Sequence, residues 1–270
     1  MKSALLRGRE HVELGAIDAV AEAHAAIAIS IGGAHKTYPH TDPNEDAALF
    51  ALGEVGTLVA VADGHRGFEA AEVALEHLAT NPAPHWTAAG GVDESSWRRQ
   101  ALAVLSDAHA QVHSEVEREG GSAPRTTLTL ALVLPSAGFL LYASLGDSHL
   151  FRVRGDQALD LMTRSGDTRN RFLGDRKTTP EEIAEQSYIG TEPLHGVRAI
   201  VLATDGLSEE GIGVANPGAT VQEAVDAAAR ADPDLRALHT ARGVVERAVA
   251  AQAKHRSGDN AAVAVVWLGA

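Results

Sequence analysis

Apolar residues along this chain come in short runs that turn residues interrupt. Strand-sized runs of this kind span residues 25–31, 47–52, 57–62, 126–134, 139–145, 148–154, 197–204 and 261–268. Short turns such as 53–56 and 135–138 separate neighbouring runs and contain glycine or proline. Because a tight turn joins antiparallel strands, whereas parallel strands need a long crossover, the pattern predicts antiparallel sheets.

Between these runs lie segments in which apolar residues recur every three or four positions, as on a helix with one buried face. They span residues 68–80, 94–119, 220–230 and 234–254. In the first of them Phe68, Ala71, Leu75 and Leu78 fall on one face. Helices grouped between strand clusters favour sheets covered by helix layers. With no internal repeat and no long linker, the chain is expected to form one α+β domain over residues 1–270.

Composition is typical of a globular protein and excludes several kinds of chemistry. The 270 residues include 36 acidic and 23 basic ones, and the formal net charge is −13. That charge argues against nucleic acid or an anionic membrane as the main partner. The absence of cysteine excludes disulfides, zinc–thiolate sites and thiol nucleophiles. With neither a secretory signal nor an apolar run long enough to span a bilayer, we expect a cytoplasmic protein.

Acidic residues stand at the ends of several predicted strands. Asp46 and Asp259 precede strands, whereas Asp63, Asp147 and Asp205 follow them. If these carboxylates meet at one edge of a sheet, they repel one another unless cations neutralise them. Oxygen ligands favour a hard cation such as Mg²⁺ or Mn²⁺. Pairs of such ions are used to hydrolyse phosphoesters.

Each of these residues taken singly has a plainer explanation. Asp-Gly, present at 63–64 and 205–206, is a common turn dipeptide. His65 alone would be a solvated loop residue. His109 and His113 have a spacing that could bind a metal, but without a third ligand nearby the pair is more typical of a helix surface. The ordered set of motifs, rather than any one of them, therefore points to a site.

The motifs around the acids closely resemble those of the metal-dependent protein phosphatases of type 2C. The matching segments are Asn44-Glu45-Asp46-Ala47, Val61-Ala62-Asp63-Gly64-His65, Leu145-Gly146-Asp147-Ser148, Ala203-Thr204-Asp205-Gly206-Leu207 and Gly258-Asp259-Asn260. The resemblance runs from about residue 25 to residue 270. It implies a four-layer αββα sandwich, in which two antiparallel β-sheets are packed between helix layers and a binuclear metal site lies at one end.

The resemblance also implies a metal-binding role for each matching residue. Two ions, Mn²⁺ or Mg²⁺, would be bridged by Asp63, with the Gly64 carbonyl on one ion. The other implied roles are as follows: Asp205 and Asp259 complete the coordination of the second ion, Glu45 and Asp46 hold metal-bound waters, Asn260 supports the Asp259 loop, and Asp147 with Asp205 forms the weaker third metal site that some members have.

The implied activity is hydrolysis of phosphoserine and phosphothreonine in proteins, such as the products of a serine/threonine kinase. A metal-bridging hydroxide held by Asp63 and Asp205 would attack, and His65 would be the general acid that protonates the leaving alkoxide. Two alternatives stay open: a phosphatase of the same fold that acts on another phosphoester, and a non-catalytic regulatory or binding module. Retention of every candidate metal acid argues against the binding module.

The chain departs from the family pattern at several positions. The arginine that usually binds substrate phosphate, four residues before Glu45, is Thr41 here, and a hydroxyl does not replace a guanidinium at equal strength. The nearby basic residues that could replace it are Lys36, His35, His40 and Arg66. Arg125 and His149 stand where the family has glycine and arginine, and the flap near residues 162–180 is expected to be short. Residues 1–23 match none of the motifs.

Overall fold

The computed structural model describes residues 1–38, 40, 43–116, 124–162, 172–175 and 177–269. The strands in these ranges are β1 (Lys2–Arg7), β2 (Asp18–Glu22), β3 (Ala25–Ser30), β4 (Ala47–Leu52), β5 (Thr57–Ala62), β6 (Gly64–His65), β7 (Arg125–Thr126), β8 (Leu128–Leu134), β9 (Phe139–Leu145), β10 (His149–Arg154), β11 (Gln157–Asp160), β12 (Tyr188–Pro193), β13 (Val197–Ala203) and β14 (Ala261–Trp267). The helices are α1 (Glu69–Thr80), α2 (Pro82–Trp86), α3 (Glu94–Glu115), α4 (Pro180–Gln186), α5 (Pro217–Ala228) and α6 (Arg236–His255).

The strands form two six-stranded sheets and one short ladder. The first sheet has the order β1-β4-β5-β8-β9-β12, and the second has the order β11-β10-β13-β14-β3-β2. Every pairing in both sheets is antiparallel, and β6 pairs with β7 in a separate two-stranded ladder. The antiparallel sheets that the turns predict are therefore confirmed.

The two sheets pack face to face, and helices cover their outer faces. Neighbouring residues of a strand point to opposite faces, so that in β4 Leu49 packs toward α1 and α3 while Phe50 packs against the second sheet. On the other side, α5 and α6 cover the second sheet through residues such as Val225 and Val244. Burial of both faces explains why the strands appear as continuous apolar runs. The four-layer αββα sandwich is confirmed.

One predicted strand, 126–134, is in fact two. The chain breaks at Thr127, whose backbone N–H donates to the Asp63 carbonyl at 2.9 Å and whose hydroxyl accepts from the Asp63 N–H at 3.0 Å. The Asp63 N–H thus bonds to a side chain instead of a backbone carbonyl, which interrupts the ladder between β7 and β8, and β7 pairs with β6 in the register that β5 and β8 have. A partner 64 residues away in sequence thus decides where the strand ends.

The N-terminal segment, which matches none of the motifs, supplies an edge strand to each sheet. β1 pairs with β4, and β2 pairs with β3. Both strands are partly exposed, so they lack the continuous apolar run that marks the central strands.

Part of the sequence prediction concerns residues outside the ranges that the structure describes. Thr41, and residues 163–171 and 176 of the expected flap, lie outside the described residues. Across the described ranges, no helix has both the length and the apolar character to cross a membrane. The cytoplasmic location and the single domain stay predictions.

Candidate active site

The acids that the sequence places at strand ends meet at one end of the sandwich. Asp46 precedes β4 and Asp63 follows β5, and the two strands are antiparallel, so both acids lie at the same edge of the first sheet. The same relation holds for β13 and β14 of the second sheet, which bring Asp205 and Asp259 together. A hydrogen bond joins the two sheets here, because the Thr204 hydroxyl donates to Asp46 Oδ2 at 2.7 Å.

Three of the carboxylates form the centre of the cluster. One oxygen from each of Asp63, Asp147 and Asp205 lies within 4.8 Å of the other two. Burial, followed by the charge of Asp63, raises the pKa of Asp147. Burial and the charges of Asp63 and Asp259 hold the pKa of Asp205 well above its usual range. The charged forms of Asp147 and Asp205 are therefore unfavourable unless a cation joins them. For Asp63, burial alone would raise the pKa, but the charges of His65 and Lys36 outweigh burial and lower it.

The residues expected to hold metal-bound waters border this centre. Asp46 is buried, and burial together with the charge of Asp63 places its pKa well above the ordinary value. Glu45 is also buried, and its Oε1 accepts a hydrogen bond of 2.6 Å from the backbone N–H of Gly67. Asn260 connects the segment of Glu45 to that of Ile31. Its Oδ1 accepts from the Glu45 N–H at 2.9 Å, and its Nδ2 donates to the Ile31 carbonyl at 3.1 Å.

Asp259 and Glu45 share a basic partner, Lys36. Lys36 Nζ lies 3.2 Å from Asp259 Oδ1 and 3.4 Å from Glu45 Oε2, and its side chain is only 10% exposed. Burial alone would lower the pKa of Lys36, but the charges of Asp259 and Glu45 outweigh burial and raise it. The Tyr38 hydroxyl also donates to Asp259 Oδ1, at 2.5 Å. Lys36 is therefore an internal counter-ion of the carboxylate cluster.

Close backbone packing fixes the turn that follows Asp63. A side chain at Gly64 would meet the Glu45 carbonyl oxygen at 2.5 Å, so that only glycine fits between these segments. On the other side, the Thr126 hydroxyl and the Thr127 N–H both donate to the Asp63 carbonyl at 2.9 Å. These contacts hold the backbone of Asp63 in place.

His65 lies beside the cluster, at the edge of a cavity. Its Nε2 is 3.2 Å from Asp63 Oδ2, and its ring packs edge-on against Phe172 with ring centroids 4.4 Å apart. Burial would lower the pKa of His65, but the charge of Asp63 outweighs burial and raises it. The cavity has a volume of about 510 Å³, and Asp63, Asp205, Asp259 and His65 all line it.

The cavity also contains residues that were not among the predicted site residues. Tyr38, Arg125 and Glu209 line it, together with Lys36, His40 and Arg66, three of the basic residues that could replace the missing arginine. In the sequence, Arg125 is marked only as an arginine where the family has glycine. That departure indicates that the site differs from the family pattern there, but it does not indicate what the side chain contacts. Tyr38 and Glu209 carry no sequence signal of their own.

The residues of the site fit a hard divalent cation. The donors are carboxylate oxygens, three of them converging within 4.8 Å, and burial disfavours their charged forms. The tight packing around Gly64 also leaves its backbone close to Glu45 and Asp63. By contrast, His109 and His113 do not form a metal pair. Their ring centroids are 6.4 Å apart, and His109 Nδ1 accepts a hydrogen bond from the Gly174 N–H.

Comparisons with known proteins agree with the fold and identify the family. A family model described as Protein phosphatase 2C matches residues 36–241. A search of curated proteins finds no match. Among solved structures, the chain resembles the serine-threonine phosphatase 2C from Toxoplasma gondii, with 18% identity, a TM-score of 0.68 and coverage of 98% of this chain and 99% of that one.

Two bacterial structures are also similar. The PPM Ser-Thr phosphatase MsPP from Mycobacterium smegmatis, solved in complex with cacodylate, is 25% identical, with a TM-score of 0.58 and coverage of 91% of this chain and 98% of that one. The S. agalactiae serine/threonine phosphatase is 17% identical, with a TM-score of 0.64 and coverage of 94% and 100%.

The fold and the carboxylate cluster define the class of metal-dependent phosphatases. The chain belongs to the protein phosphatase 2C family, whose model matches most of its length. The family, the enzyme class and the serine/threonine phosphatase activity that the motifs imply are thus confirmed.

Proposed function

We propose that this chain hydrolyses phosphoserine and phosphothreonine in proteins with two divalent ions, Mn²⁺ or Mg²⁺, bound at the carboxylate cluster. The observation that carries the proposal is the convergence of Asp63, Asp147 and Asp205 within 4.8 Å of one another, at the edge of a cavity that also contains His65. A phosphoprotein made by a serine/threonine kinase is the matching partner.

Position in the site supports the ligand set that the family resemblance implies. Asp63 lies at the centre of the cluster and would bridge the ions, with the Gly64 carbonyl on one of them. Asp205 and Asp259 would hold the other ion, and Asp147 with Asp205 would form a weaker third site. Glu45 and Asp46 would orient bound water, and Asn260 holds the segment of Glu45 through its backbone N–H.

When bound, the ions would supply an activated water and neutralise charge on the phosphate. His65 donates a proton from its ring to the leaving oxygen of serine or threonine, because an alkoxide is a poor leaving group. Phe172 limits rotation of the imidazole by packing edge-on against it. Asp63 faces Nε2 of the same ring at 3.2 Å and favours its protonated form.

The experiment that tests the proposal has two stages. Turnover of p-nitrophenyl phosphate with Mn²⁺ and with EDTA shows whether phosphoester hydrolysis depends on metal. A panel of phosphoserine, phosphothreonine and non-peptide phosphoesters then shows the substrate. We expect Mn²⁺-dependent turnover and a preference for phosphopeptides. Turnover that persists in EDTA after removal of all metal would contradict the mechanism, and a preference for a small phosphoester would contradict the substrate.

A further inference from the structure

Arg125 lies opposite His65 in the two-stranded ladder of β6 and β7. The Cα atoms of His65 and Arg125 are direct partners in this ladder. Directly opposite residues of an antiparallel pair project to the same face. The guanidinium and the imidazole therefore face the same side, and both line the cavity that contains the carboxylate cluster.

The backbone of this arginine is tied to the centre of the site. Thr126 and Thr127, which follow Arg125, make three hydrogen bonds to the backbone of Asp63, between 2.9 and 3.0 Å long. A shift of β7 would break these bonds. These bonds thus fix the position of Arg125 relative to Asp63, as a free surface loop would not.

The side chain of Arg125 is also anchored. Its Nη1 donates to Asp175 Oδ2 at 3.0 Å, and the guanidinium lies 4.3 Å from the ring centroid of Phe172. Phe172 in turn packs against His65, so the phenylalanine ring contacts both the arginine and the histidine. The arginine nevertheless keeps 29% of its side chain exposed. A cation that is already positioned loses little freedom when it binds an anion.

The other basic side chains of the cavity are placed differently. Lys36 is nearly buried between Glu45 and Asp259, where its charge serves the carboxylates. Arg66 is exposed and has a left-handed backbone with φ of +70°. His40 directs Nδ1 to the carbonyl of Tyr38 at 2.8 Å. Among the described residues, Arg125 is therefore the cation of this cavity that is both anchored and beside His65.

We propose that Arg125 binds two oxygens of the substrate phosphate through its guanidinium, on the side of the cavity where His65 acts. The planar guanidinium fork matches two phosphate oxygens, which the point charge of a lysine cannot do. This inference rests on the proposed phosphatase function, and it makes Arg125 a determinant of affinity for the phosphate group itself.

The test compares Arg125→Ala and Arg125→Lys with Arg66→Ala, which removes an exposed arginine from the same cavity. For Arg125→Ala, we expect both the KM for a phosphoserine peptide and the inhibition constant of inorganic phosphate to rise about ten- to a hundredfold. Affinity for Mn²⁺, measured by calorimetry, should not change. Arg125→Lys should fall between alanine and wild type, and Arg66→Ala should change KM by about twofold or less.

A chemical rescue separates binding from a structural role. Millimolar guanidinium should lower the KM of Arg125→Ala and leave that of Arg66→Ala unchanged. If Arg125→Ala proves unstable in a thermal melt, Arg125→Lys decides, because it keeps a charge near Asp175 but lacks the fork. Unchanged phosphate inhibition in both Arg125 variants, or an equal loss in Arg66→Ala, would overturn the inference. Failure of the proposed function is a different result: the wild type would show no Mn²⁺-dependent turnover at all.

Discussion

The cavity has two walls of opposite character. The carboxylate wall consists of Asp63, Asp205 and Asp259, with Asp147 close to Asp63 and Asp205, at the ends of long strands in the two main sheets. The cationic wall consists of His65 and Arg125 on the short β6–β7 ladder, with Phe172 packed against both. The first wall concentrates negative charge in a buried place, whereas the second has side chains that neighbours already hold in position.

This difference indicates what each wall lacks. Burial and mutual charge raise the pKa of Asp147, Asp205 and Asp259, so the charged forms of these three acids are unfavourable without a cation. Lys36 supplies one positive charge, beside Asp259. In the cationic wall, Asp175 and Phe172 already hold Arg125 in position, and its positive charge fits an anion. Substitutions in the first wall should therefore change metal binding, and those in the second should change substrate handling while metal binding stays intact.

The largest effect is expected at the centre of the carboxylate wall. Asp205→Asn should abolish turnover, because it removes an acid that faces Asp63 and Asp147 within 4.8 Å. Without metal, the melting temperature should stay the same or rise, since one buried like charge is removed. Asp156→Asn is the matched control, because Asp156 is an exposed acid in the turn between β10 and β11. Near-normal turnover in Asp205→Asn would show that this wall is not the reaction centre.

The next effect tests the cationic wall. His65→Ala should slow hydrolysis of a phosphoserine peptide by about 10²–10⁴-fold, and should slow p-nitrophenyl phosphate far less, because p-nitrophenolate leaves without a proton. Mn²⁺ affinity should be unchanged. His113→Ala, at an exposed helical position, is the control. Equal losses on the two substrates would mean that His65 binds phosphate or orients Asp63 instead of donating a proton.

A third prediction concerns Lys36, the basic residue that contacts Asp259 in the carboxylate wall. Lys36→Met keeps the length of the side chain but leaves Glu45 and Asp259 without their counter-ion. The metal-free protein should lose about 3 kcal/mol of stability. Mn²⁺ should then bind about tenfold more tightly, a gain of about 1.4 kcal/mol. Denaturant melts and calorimetry measure the two effects. Weaker Mn²⁺ binding in this variant would show that Lys36 supports the ions rather than competing with them.

The smallest change is expected for Thr41→Arg. If Arg125 already holds the phosphate, a second arginine should alter kcat/KM on a phosphopeptide by about twofold or less. If no group holds it, the new contact should raise kcat/KM about ten- to a hundredfold. Steady-state kinetics on one phosphopeptide distinguish these results, and the larger gain would contradict the role given to Arg125.

The central strands could be predicted from the sequence because both of their faces are buried. Residues 47–52, 57–62 and 139–145 form strands with the expected bounds. The acids at strand ends also follow from the pattern, since antiparallel neighbours bring a strand start beside a strand end. The edge strands β1, β2 and β12 were not predicted, because their mixed exposure leaves no apolar run.

The contacts that distinguish this site from the family pattern depend on partners distant in sequence. Lys36 meets Asp259 across 223 residues, and the register that pairs Arg125 with His65 continues through the bonds between Thr127 and Asp63. Residue type and spacing carry no information about such contacts. The sequence therefore showed that Arg125 stands where the family has glycine. The contacts of Phe172 with Arg125 and with His65 in the structure were needed to interpret that difference.

The most direct test of the two-wall account is a calorimetric titration of metal-free protein with Mn²⁺. Wild type, Asp205→Asn, His65→Ala and Asp156→Asn would be titrated at one pH. We expect about two ions to bind to the wild type, Asp205→Asn to lose at least one of them, and His65→Ala and Asp156→Asn to bind Mn²⁺ as the wild type does. Unchanged binding in Asp205→Asn, or no binding of Mn²⁺ to the wild type, would contradict the two-wall account.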